Sequence, residues 1–164
     1  MQNRTLPGCQ TNMFKLKYQF TDFLFRSLFS LIFIALGFEH LFQDQLIQLM
    51  MPYWIVNKHL FSLAAGVVLL GGGFSLLIGY KVRLGATILG LFLVLATILI
   101  HIPGVMMKPA GFPQEWGWLW DVYQRSNLIK NLCLLGGCFH LTNHKLGRFS
   151  LEYYLLQKHK EPGA

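Results

Sequence analysis

Apolar residues fall in four long blocks, at 23–42, 59–79, 82–102 and 126–146, separated by polar or irregular connections. A helix that crosses a bilayer needs roughly 20 mostly apolar residues, and all four blocks meet that length. Each must satisfy its own backbone hydrogen bonds in lipid, which selects helix. No stretch alternates strictly over about ten residues, as a barrel strand does. The pattern predicts an all-α integral membrane four-helix bundle at 23–146, between an N-terminal segment, 1–22, and a tail, 147–164. The fourth block is the weakest, because it holds Lys130 and several amides.

Composition narrows the class. Of 164 residues 54% are apolar and 13% charged, about half the charged share of a soluble domain. A soluble enzyme, a disordered chain and a nucleic-acid module are excluded on that ground. The net charge of +7 is distributed by side. Arg4, Lys15, Lys17 and Arg26, then Lys81 and Arg83, then Lys145, Arg148, Lys158 and Lys160 fall on one side. The other side has Lys58, Lys108 and Arg125. The positive-inside rule puts both termini in the cytoplasm and connections 43–58 and 103–125 outside. The basic charge is thus a topology signal with some attraction to anionic lipid, and no nucleic-acid partner is expected. All four tryptophans lie in the outer connections with Pro52, Tyr53, Pro103, Pro109, Pro113 and Tyr123. They suit an aromatic belt, or a lid over an outer pocket. Cys9, Cys133 and Cys138 form no CxxC, so they indicate neither a disulfide nor a zinc framework. The first residues have no apolar core of a signal peptide, and Leu6-Pro7-Gly8-Cys9 lacks the context of a lipoprotein box.

Small residues suggest how the spans meet. Gly71, Ser75 and Gly79 share a face of the second span, with Gly72 and Gly73 beside them. Ala86 and Gly90 pair on the third, and Gly136 and Gly137 lie on the fourth. In lipid such faces let helices approach closely. The connection Tyr80-Lys81 is short enough to make spans two and three a hairpin. No strand precedes these glycines, so they are not a phosphate loop.

Ionisable groups inside a span are costly and point to function. Asn127, Lys130 and Asn131 share one helix face. Thr87, Gly90, Thr97 and His101 share another. Glu39 and His40 end the first span. With the orientation above, Glu39, His40, His101, Lys130 and Asn131 fall in one layer, about 5 Å below the outer interface at 1.5 Å per residue. His59 lies just above it. Glu39 is the natural partner of Lys130, and two readings stay open: a structural network, or a small polar pocket for a redox-cofactor head group or small anion. Arg26 is expected to snorkel to head groups. His140 and His144 read as interfacial. Haem on His40, His59 or His101, and copper on Met50, Met51, Met106 or Met107, are disfavoured, and no metal site is assigned. No Ser-His-Asp or Cys-His set is present, so no catalytic residue is assigned.

Several motifs stand in order along 23–152: Arg26 with Gly37-Phe38-Glu39-His40, Gly72-Gly73 through Gly79 with Arg83-Leu84-Gly85-Ala86, and His101-Ile102-Pro103. Lys130-Asn131-Leu132 with Leu135-Gly136-Gly137, and Gly147-Arg148-Phe149-Ser150-Leu151-Glu152, complete the set. In these the chain resembles the DoxX family of small bacterial four-helix membrane proteins. Many members carry a glutamate just before the Gly-Gly; here that stretch is Leu69-Leu70-Gly71, which implies either that the acid's role is absent here or that Glu39 serves instead. The resemblance implies a multi-pass inner-membrane protein and a redox-associated subunit linked to quinone or to sulfur and thiol chemistry. Its partners would be the lipid bilayer and another membrane redox subunit or a second copy. The alternatives are a non-enzymatic scaffold or small-solute carrier, and outer-face copper or haem handling.

Overall fold

The computed structural model describes residues 7–51, 55–108, 112–143 and 147–160. The expectations for Arg4, Leu6, Pro52, Tyr53, Trp54, Pro109, His144 and Lys145 lie outside the described residues, as do the side chains of Cys9, Lys15 and Met50. The described residues are all helical or irregular, with no strand. Helix α1 spans Pro7–Phe42, α2 Asp44–Met50, α3 Lys58–Ile78 and α4 Val82–Ala96; a π turn, Thr97–His101, leads into α5, Ile102–Met106. A 3-10 turn, Gln114–Trp116, precedes α6, Gly117–Asn143, and α7 is Leu151–Lys160.

Three stretches are long and apolar enough to cross a membrane: Leu16–Phe42, Lys58–Ile78 and Val82–Met106. Helix α6 is 27 residues long but carries Asp121, Arg125 and Lys130. Two boundaries differ from the sequence pattern. Helix α1 begins at Pro7, far ahead of the apolar block, and its 36 residues extend about 54 Å at 1.5 Å per residue. Helix α6 begins at Gly117, within the connection expected to be irregular. Trp120 is the cause there: its indole Nε1 donates to Gly104 O at 2.8 Å, and its ring packs on Phe112. It is buried, whereas Trp116 and Trp118 are exposed.

The π turn has a local reason. Pro103 has no N–H and its ring clashes with the carbonyl four residues back. One wider turn avoids that clash, closing with Ile102 N donating to Thr97 O. The added residue rotates the downstream helix by about 100°.

Successive long helices run antiparallel. Helix α1 packs on α3, α3 on α4, and α4 on α6. The core is Phe33, Leu69, Leu76, Ala86, Leu89, Leu93, Cys138 and Leu141. Large apolar side chains instead face outward, among them Leu31, Val67, Leu91 and Ile98. Inward positions are often small or polar: Ser30, Ser62, Gly66, Gly72 and Gly73. A water-soluble core has the reverse arrangement; this one suits lipid, where small residues give close helix contact. The small-residue expectation is corrected in detail. Gly71 and Gly136 face open space, while a Cβ on Gly72 would meet Leu89 side-chain atoms at 2.5–2.9 Å and one on Gly137 would meet Phe29. Of the α3 stripe, Ser75 and Gly79 do lie at contacts, with Gly85 and with Arg26 and Ser150, and Gly71 is the member that turns away.

Arg26 also departs from expectation. It does not snorkel; it is 0% exposed. Its Nε donates to Asp22 Oδ2 at 3.3 Å, Nη1 to Leu76 O at 2.9 Å and Nη2 to Phe149 O at 2.7 Å. The last carbonyls of α3 lack helical amide partners, so an arginine on α1 finds acceptors there. The guanidinium thereby ties α1, the end of α3 and the segment before α7. Gly79 completes the joint. Its φ of +75° and the nearness of Arg26 Nη1 and Ser150 to any added Cβ require glycine. Lys81 holds a φ of 48°, and its N–H donates to Glu152 Oε2 at 3.1 Å.

Removing the guanidinium takes away the charge that faces the buried Asp22 carboxylate and leaves two backbone carbonyls without their donor. Arg26→Gln is expected to lower unfolding free energy in detergent by about 3–5 kcal/mol, with Arg26→Lys recovering part. Lys81→Gly relieves a left-handed residue and is expected to add about 1 kcal/mol. Reversible denaturant titration of the three variants checks these values.

Candidate functional site

At the end of the molecule opposite Arg26, the helices enclose a cavity of about 140 Å³. Glu39 and His40 reach it from α1, Leu69 from α3, His101 from the π turn, and Gln124, Asn127, Lys130 and Asn131 from α6. Ile47 of α2, Met51 and Tyr123 line its rim, and Phe33, Leu36, Phe92 and Leu93 line the apolar floor. All five residues singled out from sequence therefore border one cavity. Residues of both the 43–58 and the 103–125 connections contribute to it.

The polar groups are held by neighbours. His40 Nδ1 lies 3.2 Å from Ser62 Oγ, and that hydroxyl donates to His40 O at 3.1 Å. His101 Nδ1 lies 3.1 Å from Gln124 Oε1. Asn131 Nδ2 donates to Thr97 Oγ1 at 3.4 Å. Lys130 Nζ donates to Asn127 Oδ1 at 2.7 Å. The expected Glu39–Lys130 pair does not form: among the described residues the ion pairs within 4 Å are Arg26–Asp22, His59–Asp44 and Lys108–Asp121. Adjacent helical residues point about 100° apart. His40 turns toward Ser62, and Glu39 is left exposed at the cavity edge.

Three contributors escaped sequence reasoning. Gln124, 1% exposed, was hidden in a connection rich in tryptophan and proline. Its signal was the spacing 120, 124, 127, 131, a heptad stripe that continues the Asn127–Asn131 face. Ser62 and Leu69 gave no signal by type. Leu69 belongs to the stretch where the family resemblance leads one to expect a glutamate, and it lines the same cavity as Glu39. His59 stands outside: its ring is exposed and its Nδ1 bonds the Asp44 carboxylate. Lys58 Nζ adds a bond to Gln48 O at 3.1 Å, so α2 is fastened to the start of α3. His140 packs edge-on against Phe25. Met106 and Met107 are exposed, whereas Met51 is buried. Among the described residues no three His, Cys, Asp or Glu side chains converge as a metal site.

The cavity has acceptors, donors and an apolar floor in a small space. Pockets for drug-sized ligands run to 300–1,000 Å³, whereas an apolar cavity of about 150 Å³ takes one benzene ring. One ring or one small anion fits here.

Long helices with apolar exteriors, small-residue contacts and buried polar groups define a multi-pass helical membrane protein. The family model for DoxX matches residues 21–102, half of the chain, and the chain belongs to the DoxX family. No curated protein and no solved structure matches it. The matched region runs from α1 through the π turn, so it includes Glu39, His40 and His101 and stops short of α6.

The α2 fastening makes a pH test. Hydrogen bonds from His59, then Gln48, hold the Asp44 carboxyl below its usual value of 3.8. A depressed carboxylate gives stability above its unfolded value, and that stability is lost as pH falls through the folded one. Protection of the α2 amides, taken relative to the intrinsic exchange rate at each pH, is expected to hold at neutral pH and to fall only below pH 3.8. Asp44→Asn is expected to exchange faster already at neutral pH, without an acid step.

Proposed function

We propose that this DoxX protein is a redox-associated subunit of the bacterial inner membrane that binds the head ring of a quinone in the cavity. In this reading α6 is a fourth span and completes a four-helix bundle, with both termini cytoplasmic and the cavity opening outward. Helix α6 supports its own membrane placement: Gln124, Asn127 and Asn131 face inward, while Val122, Ile129, Leu132 and Phe139 face outward. A helix polar inside and apolar outside suits lipid better than water.

The observation that carries the reading is the convergence of Glu39, His40, His101, Lys130 and Asn131 on one ring-sized cavity. A bound quinone supplies two-electron, two-proton chemistry, with electrons passing to or from another membrane redox subunit. This chain's own part is to hold the ring and handle protons. Phe33, Leu36 and Phe92 give the ring an apolar seat. The Lys130 ammonium and the Asn131 amide donate toward ring oxygens. His40 and His101 are the proton-handling groups. The mutual pairing of Lys130 with Asn127 and of His101 with Gln124 also favours a second reading, a scaffold whose polar groups only stabilise the fold.

Purification in mild detergent followed by solvent extraction separates the two. About one quinone per chain is expected, lost in Lys130→Met while the variant stays folded. Wild-type protein that retains none, or a Lys130→Met variant that retains all of it, leaves the scaffold. In a chain with its native cysteines replaced, Glu115→Cys is expected to react with an impermeant maleimide from outside the cell and Gln157→Cys is not. The reverse result overturns the orientation.

A further inference from the structure

We propose that Ser62 is a positioning residue that fixes the proton of His40 on Nδ1, and that the cavity therefore selects ligands that donate a hydrogen bond. The ligand half of this rests on the quinone reading; the tautomer half does not.

Helix α1 ends at Phe42, so its last carbonyls have no helical amide to accept from. Gln43 N serves Glu39 O at 2.8 Å. His40 O is served across the helix interface by Ser62 Oγ at 3.1 Å. Ser62 is fully buried, and a serine hydroxyl has one proton to give. The same oxygen also lies 3.2 Å from His40 Nδ1. With the hydroxyl proton committed to the carbonyl, the second bond needs a proton from the ring. Nδ1 is thus the N–H, and in the neutral imidazole Nε2 keeps a lone pair.

His101 repeats the arrangement with a different partner. Its Nδ1 faces Gln124 Oε1, a carbonyl oxygen that only accepts. Both histidines border the cavity with Nδ1 bound to protein, which leaves Nε2, an acceptor, for whatever enters. A quinol hydroxyl donates to such a nitrogen. A quinone carbonyl meets it lone pair to lone pair. The reduced ring is therefore the preferred form.

The test joins a direct reading of the tautomer to a pair of probes, both on the full chain in detergent. Nitrogen-15 NMR of labelled histidine reports which ring nitrogen carries the proton. Hydroquinone and 1,4-cyclohexanedione serve as donor and acceptor-only rings of equal size. His40 is expected to be protonated at Nδ1, with hydroquinone bound about tenfold tighter, the equivalent of one good hydrogen bond. Ser62→Ala is expected to mix the two tautomers and shrink that preference to about threefold or less, and Ser62→Thr to restore both. A wild-type His40 protonated at Nε2, or a preference untouched by Ser62→Ala, overturns the proposal. If neither probe binds while Nδ1 is protonated, the ligand half falls with the quinone reading and the Ser62 assignment stands.

Discussion

A guanidinium with no water around it needs acceptors from the chain itself, and the end of the molecule at Arg26 is built on that need. Its bonds go to Asp22 one turn earlier, to Leu76 O at the end of α3 and to Phe149 O ahead of α7. Stranding a buried charge costs several kcal/mol, so these three segments are held together. Gly79 must then turn left-handed with no side chain beside the guanidinium. The tail closes over the hairpin through Glu152, whose carboxylate and amide hold Lys81 N and Gly79 O. The segments that carry the family resemblance near Arg26, Gly79 and 147–152 thus form one joint in space.

The opposite end solves the same problem with weaker groups. Apart from Glu39, the charged and imidazole side chains at the cavity each have a neighbour: Ser62 for His40, Gln124 for His101, Asn127 for Lys130. These pairs orient the rings and the amine without neutralising the lysine by a carboxylate. Between the two ends, small residues set the helix spacing. Gly72 admits Leu89 at a distance no Cβ allows. The arginine joint is suited to rigidity and the cavity to exchange, and the glycine contacts connect them.

Much of this was legible along the chain. Of the four apolar blocks, three coincide with stretches that can cross a membrane, and counting residues along each block brought Glu39, His40, His101, Lys130 and Asn131 to one cavity. Those residues stand out because charge and imidazole are costly in an apolar block. Ser62, Gln124 and Leu69 do not stand out. A serine and a leucine are ordinary in a span, and the tryptophans around Gln124 read as a belt.

Residue chemistry alone determined the class of the molecule: with 13% of its residues charged and long apolar blocks, helices in lipid are the way to satisfy the backbone. It also brought the ionisable groups of different helices to a common level, because rise per residue is nearly constant. Which way side chains turn was decided only by packing. Arg26 could reach head groups on its own helix; the free carbonyls of α3 and Phe149 draw it inward. Glu39 and Lys130 share a level, yet helical rotation sends Glu39 to the edge while Lys130 turns to Asn127. Depth comes from counting residues, but rotation and partner depend on neighbours from distant parts of the chain.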